Sequence, residues 1–197
     1  MFLLLPVPLS LGQTSAAGGS LADIKANFDM FDLLGRHLYG TSPTIRSGNL
    51  PNIYCGILAV FFVPIFATLK TIPLRRRLSY MGLFVVMGFS QVINQMDLIW
   101  HGLHAPNDLP YRFSFLYSFV LLLIAYETLT HLRDIQPKQI VLTAVGVLAY
   151  IMLEERFGSV EEQLEESATY GFNSIYISLL LVLIYAVVTA LASSRRL

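Results

Sequence analysis

Apolar residues along the chain gather into long runs separated by short polar connections. A helix needs about 20 apolar residues to cross a bilayer core, and about 17 suffice. Four runs approach or meet that length: Ile53–Leu69, Leu78–Met96, Phe113–Leu129 and Ser174–Ala192. A fifth, Ile140–Leu153, is short but bounded by charge at both ends, and spans if the local bilayer thins. The pattern therefore predicts an all-α, multi-pass transmembrane bundle of about five spans, occupying residues 53–197. The opening "MFLLLPVPLSLG" is too short to span and carries Pro6 and Pro8, which interrupt a helix. Residues 1–11 are read as a partial transmembrane or re-entrant segment, the outer end of a helix that begins upstream. That reading makes the chain a fragment of a longer protein. The competing signal-peptide reading, with "SAAG" as its cleavage region, lacks the positive leading residues such signals carry.

Between these parts, residues 12–52 form an extracytoplasmic segment. Within it "SLADIKANFDMFDLLGRHLYG" predicts an amphipathic helix capped by Ser20. Leu21, Ile24, Phe28, Phe31, Leu34 and Leu38 recur at helical spacing. Such a helix either lies in the outer interface of the bilayer or packs on the outer ends of the membrane helices.

Composition supports the membrane assignment. Mean hydropathy is +0.62, with 55% apolar and 13% charged residues, whereas soluble domains carry about 25% charged residues. Net charge is zero, so no nucleic-acid partner is expected. The lone Cys55 excludes an internal disulfide and a cysteine-based zinc cluster. Charge placement then sets orientation. Lys70 and Arg75–Arg77, Arg133 and Lys138, and Arg195 and Arg196 fall in three alternating places, which the positive-inside rule assigns to the cytoplasm. The C-terminus is expected there, and residues 97–112 form an outer loop.

That loop holds the candidate chemistry. Asp97, His101 and His104 recur at +4 and +3, a spacing that can bind a divalent metal. Histidines at a membrane boundary are more commonly hydrogen-bonded, so neither a metal nor another cofactor is expected. Gln91, Asn94, Gln95 and Leu98 share one side of the second span, and the polar ones should face the bundle interior. Pro106 and Pro110 turn the chain around Asn107 and Asp108. Arg112 stands at the mouth of the third span, where it either grips a phosphate with its planar fork or snorkels to lipid headgroups. Asn49 and Asn52 in "SGNLPNIYCG" shape the entry to the first span or contact a polar substrate. Glu127 and His131, four apart, are read as an interfacial pair at the cytoplasmic side.

"LPNIYCG" at 50–56, followed by "WHGLHAPNDLPYRFSFLYSF" at 100–119, resembles the YfhO family of bacterial multi-pass membrane proteins. That family is similar to the C-type glycosyltransferases, which take sugar from a polyprenyl-phosphate donor on the outer face of the membrane. The resemblance implies glycosylation of a cell-wall polymer such as lipoteichoic acid, in the bacterial cell membrane. It also implies a catalytic acidic residue in a first outer loop. No segment here matches that loop, so no catalytic residue is assigned. Chemistry and place, rather than transferred roles, point to Arg112, His101, His104, Asn107, Tyr111 and Asn52 as contacts for phosphate or sugar. Asp97 or Asp108 would orient a histidine. The competing expectations are a transporter or lipid-headgroup-binding subunit without enzymatic activity, and an inactive gene fragment.

Overall fold

A computed structural model describes residues 25–41, 43, 50–102, 111–157 and 171–194. Among them the secondary structure is helical: α1 (Met30–Gly35), α2 (Ile57–Thr68), α3 (Leu74–Val92), α4 (Asn94–Trp100), α5 (Ser114–Thr130), α6 (Pro137–Phe157) and α7 (Gly171–Ser194). A short 3-10 turn, Leu132–Asp134, links α5 to α6.

The helix α2 is apolar almost throughout, as a largely buried helix must be. Phe61, Phe62, Ile65 and Phe66 are all buried, and α2 packs against α5, α6, α7 and α3. Twelve residues make a rod of about 18 Å, short of a bilayer core of about 30 Å. The expected first span is shortened because Leu50–Gly56 is not helical. Gly56 adopts φ 99°, a left-handed conformation that turns the chain into α2.

Among the described residues two helices are long and apolar enough to cross a membrane, over Pro137–Arg156 and Ser174–Ser194, and α2 and α5 are shorter apolar helices. The segment expected to be the shortest span thus lies in one of the two longest helices. Charge at Lys138 and Glu154 does not end α6. Lys138 is exposed in its first turn, and Glu154 turns wholly inward. The outward faces of α6 and α7 carry Val141, Leu142, Val145, Leu180, Val187 and Leu191, each more than half exposed. Large exposed apolar faces on an apolar core suit a lipid surround rather than water.

The expected second span is interrupted. Ile93 is extended at φ −89°, ψ 119°, separating α3 from α4. Ala26 pairs with it in an antiparallel bridge. The Asn27 N–H donates to the Val92 carbonyl at 2.7 Å, and the Asn94 N–H donates to the Lys25 carbonyl at 3.0 Å. The expected second span would continue the helix here. The neighbouring strand-like segment breaks it.

The amphipathic helix is also shorter than its periodicity predicts. Ser20 lies outside the described residues, and the chain is non-helical from Lys25 to Asp29. Asp29 caps α1 at the Phe31 N–H, while Asp32 reaches back to the Asp29 N–H, forming a capping box. The buried positions are Leu33 and Gly35–Leu38, whereas Phe31 of the expected apolar stripe is exposed. Leu33 and Leu38 join the same core as α2 and α5. This segment packs against α3 and α6.

Connections between elements define two ends of the bundle. At one end, Arg76 pairs with Glu127 at 3.0 Å, and Gln139 Nε2 donates to Thr68 Oγ1 at 3.0 Å. The last turns of α7 lie against the 3-10 turn. This end carries Lys70, Arg75, Arg76, Arg77, Arg133 and Lys138. At the other end α1 meets α3 and α6, while His37 and Tyr39 just beyond it bond Tyr117 of α5 and Ser178 of α7.

Candidate functional site

At the α1 end, the two sequence motifs meet. The non-helical segment Pro51–Ile53 has no hydrogen-bond ladder of its own, so its backbone carbonyls need other partners. Arg36 Nε donates to the Pro51 carbonyl at 3.1 Å. Ser114 Oγ donates to Asn52 O at 3.4 Å, and Ser118 Oγ donates to Ile53 O at 3.2 Å. Spacing of four residues on α5 brings both hydroxyls to one strip of chain. Arg36 Nη2 also donates to Asn52 Oδ1 at 2.9 Å.

Arg36 is buried, at 3% exposure, and none of these partners is charged. Among the described residues no carboxylate lies within ion-pair distance of it. Burial pushes its guanidinium pKa down, since a charge removed from water without a counter-charge is disfavoured.

Beside it, His37 is also buried. Its Nδ1–H donates to the Leu34 carbonyl at 3.2 Å, and its Nε2 accepts the Tyr117 hydroxyl at 2.9 Å. This pair of bonds defines the neutral tautomer. Burial holds the imidazole down to about 4, outweighing the backbone hydrogen bonds that raise it. Tyr150 on α6 donates its hydroxyl to the same Leu34 carbonyl. One turn further along, Glu154 is fully buried, and neither carboxylate oxygen has a hydrogen-bond partner among the described residues.

A second group forms around α4. His101 Nδ1 lies 3.2 Å from Asp97 Oδ1 and 2.9 Å from the Asp97 carbonyl. The i, i+4 relation expected of these residues therefore holds, because α4 runs unbroken to Trp100 and Gly102 ends the turn at φ 72°. Burial raises the Asp97 carboxyl, against the lowering effect of His101 and of the Tyr111 N–H that bonds it. Tyr111 itself sits at φ 58°, left-handed for a side-chain-bearing residue. Its ring meets Phe28 edge-on at 5.6 Å, and its hydroxyl bonds the Asn27 side chain. Burial pushes that hydroxyl upward. Trp100 and Phe113 stack at 5.2 Å, closing the wall beside His101.

A family model described as bacterial membrane protein YfhO matches residues 1–196. The chain belongs to the YfhO family. No curated protein and no solved structure matches it. Family membership and two helices of spanning length make this YfhO protein membrane-associated.

Of the residues expected at its site, Asn52 and His101 lie at this end, with Asn52 joined to Arg36 and His101 to Asp97. Tyr111 is present but turned into the packing against Asn27 and Phe28. Arg112 is exposed at the entry to α5. His104 and Asn107 lie outside the described residues. The metal set of Asp97, His101 and His104 therefore has two described members, and no group of three possible ligands converges among the described residues. Gln91 is fully buried, facing inward as expected. Arg36, His37 and Glu154 were missed by sequence reasoning. Arg36 and His37 sit in an amphipathic pattern where polar residues usually face water, and Glu154 sits in an acidic run. At the basic end, Glu127 pairs through its carboxylate with Arg76, while His131 bonds only the Glu127 backbone carbonyl, at 3.0 Å, and Thr130 Oγ1, at 3.1 Å.

Proposed function

We propose that this chain is part of a membrane glycosyltransferase that moves sugar from a polyprenyl-phosphate donor to a cell-envelope polymer such as lipoteichoic acid. In this reading α3, α5, α6 and α7 cross the membrane, α2 crosses it together with the non-helical Leu50–Gly56 that precedes it, the basic end faces the cytoplasm, and the α1 end opens outward. The observation that carries the proposal is the buried Arg36, whose only described hydrogen-bond partners are neutral, in a chain of the YfhO family. A phosphate would supply the missing negative charge, and guanidinium suits it through paired hydrogen bonds.

Transfer requires the acceptor hydroxyl oxygen to bond to the anomeric carbon as the bond from that carbon to phosphate oxygen breaks. The lipid phosphate leaves with the electron pair, and a base takes the hydroxyl proton. Arg36, with Arg112 at the mouth of α5, stabilises the departing phosphate. His101, oriented by Asp97, contacts the phosphate or sugar, and Asn52 fixes the Arg36 fork. His104, Asn107 and Tyr111 are neighbours for sugar hydroxyls. The base is not assigned to a residue of this chain, and no cofactor is invoked.

Membrane vesicles bearing the chain, alone and joined to its upstream genomic neighbour, test this with a radiolabelled polyprenyl-phosphate sugar and a polyglycerol-phosphate acceptor. Transfer is expected, and Arg112→Ala and His101→Gln should each lower it about 10- to 100-fold. Neither substitution should change the amount of chain inserted. Absence of transfer in both forms, with a working control enzyme, would favour a headgroup-binding subunit without catalysis. Wild-type turnover in Arg112→Ala would remove that residue from the phosphate site.

A further inference from the structure

At the basic end, a cavity of about 870 Å³ opens between the 3-10 turn and the last turns of α7. Its walls divide by chemistry. Leu129, Leu132, Val188 and Leu191 supply an apolar side, continuous with the exposed apolar face of α7. Thr130, His131 and Arg133 supply a polar rim.

Arg133 is exposed, with no ion pair or hydrogen bond among the described residues. The ring of His131 is fixed by Nδ1, which faces the Glu127 carbonyl and Thr130 Oγ1. Asp134 is the single carboxylate among the lining residues. The nearby Glu127 carboxylate is already engaged by Arg76. The same end adds Lys70, Arg75, Arg77 and Lys138 to the local field.

We propose that this cavity binds the headgroup of an anionic phospholipid, with its phosphate at Arg133 and His131 and its acyl chains along Leu129, Val188 and Leu191. Basic recesses between helices at the cytoplasmic surface are suited to such headgroups. The apolar wall favours a tethered phosphate over a free one, because burying acyl methylenes adds to the charge attraction. The inference rests on the orientation proposed above but is independent of sugar transfer at the α1 end.

The purified full chain would be exposed to vesicles of equal phosphatidylglycerol and phosphatidylcholine, and the retained lipid counted by native mass spectrometry. Phosphatidylglycerol should be retained preferentially, and Arg133→Gln should cut that preference roughly fivefold. Arg75→Gln removes one charge from the same end outside the cavity and should leave the preference in place. Leu191→Trp, filling the apolar side, should reduce retention with every charge intact. Soluble glycerophosphoglycerol should not displace the lipid. Equal losses in Arg133→Gln and Arg75→Gln would show diffuse surface attraction and overturn the site. Unchanged preference in Arg133→Gln would overturn it too, and displacement by the soluble headgroup would reassign the cavity to free phosphate. Both charge variants alter exposed side chains, so folding should be preserved. Transfer activity of Arg133→Gln separates failure here from failure of the glycosyltransferase reading.

Discussion

Arg36→Gln is expected to leave a folded, membrane-inserted chain that has lost most of its affinity for a polyprenyl phosphate. A hydrogen bond to a charged group contributes about 1.5–3 kcal/mol, so the affinity should fall about 10- to 100-fold. Stability should change less. The substitution removes the bonds to Pro51 and Asn52, but it also removes a cation held out of water, and the two effects oppose each other. Arg36→Lys should recover little. A lysine keeps the charge but lacks the fork that reaches the Pro51 carbonyl, the Asn52 amide oxygen and a phosphate together. Donor affinity measured in nanodiscs, beside a thermal unfolding curve for each variant, separates the roles. Lost stability with unchanged affinity would make Arg36 a clamp on the Pro51–Ile53 segment and nothing more.

The pH dependence that His37 gives to stability is the second large expected effect. The imidazole is held at about 4 in the folded chain, against about 6.5 when exposed. Above pH 6.5 both states leave it neutral, and its contribution is complete. Between pH 6.5 and 4 the unfolded chain takes up a proton that the folded chain refuses, so stability falls as pH falls. Over that window the loss is on the order of 3 kcal/mol. Asp97 acts in the opposite sense, because burial raises its carboxyl. Comparison with His37→Gln isolates the histidine: the variant's unfolding temperature should decline less between pH 6.5 and 4. Matching pH profiles for the two proteins would place the sensitivity elsewhere. Tyr117→Phe should also destabilise by about 1 kcal/mol, since it removes the donor to His37 Nε2.

These two residues show where sequence was legible and where it was not. Apolar run length placed α5 within one residue at each end, and placed α7 within about a turn, because both are determined by local composition. The Asp97–His101 contact was legible for a similar reason, since a spacing of four within one helix fixes proximity. The break at Ile93 was not. The β-branched Val92 and Ile93 suit an extended backbone, but where the helix breaks is fixed by Ala26, whose pairing is remote in sequence. Arg36 was missed for the same physical reason. Its burial depends on Pro51 and Asn52, about fifteen residues away, while its local pattern marks it as solvent-facing. Glu154 was missed because the apolar run ends at Leu153 and glutamates cluster after it, yet α6 carries it inward through one further turn.

The most direct test of the account is photo-crosslinking of the purified chain with a polyprenyl phosphate bearing a photoreactive group near its phosphate, followed by peptide mapping. Labelling is expected at the α1 end, on peptides containing Arg36, Asn52 or His101, competed by unlabelled polyprenyl phosphate and sharply reduced in Arg36→Gln. Labelling concentrated at the basic end, or equal labelling of the α1 end in wild type and Arg36→Gln, would contradict it.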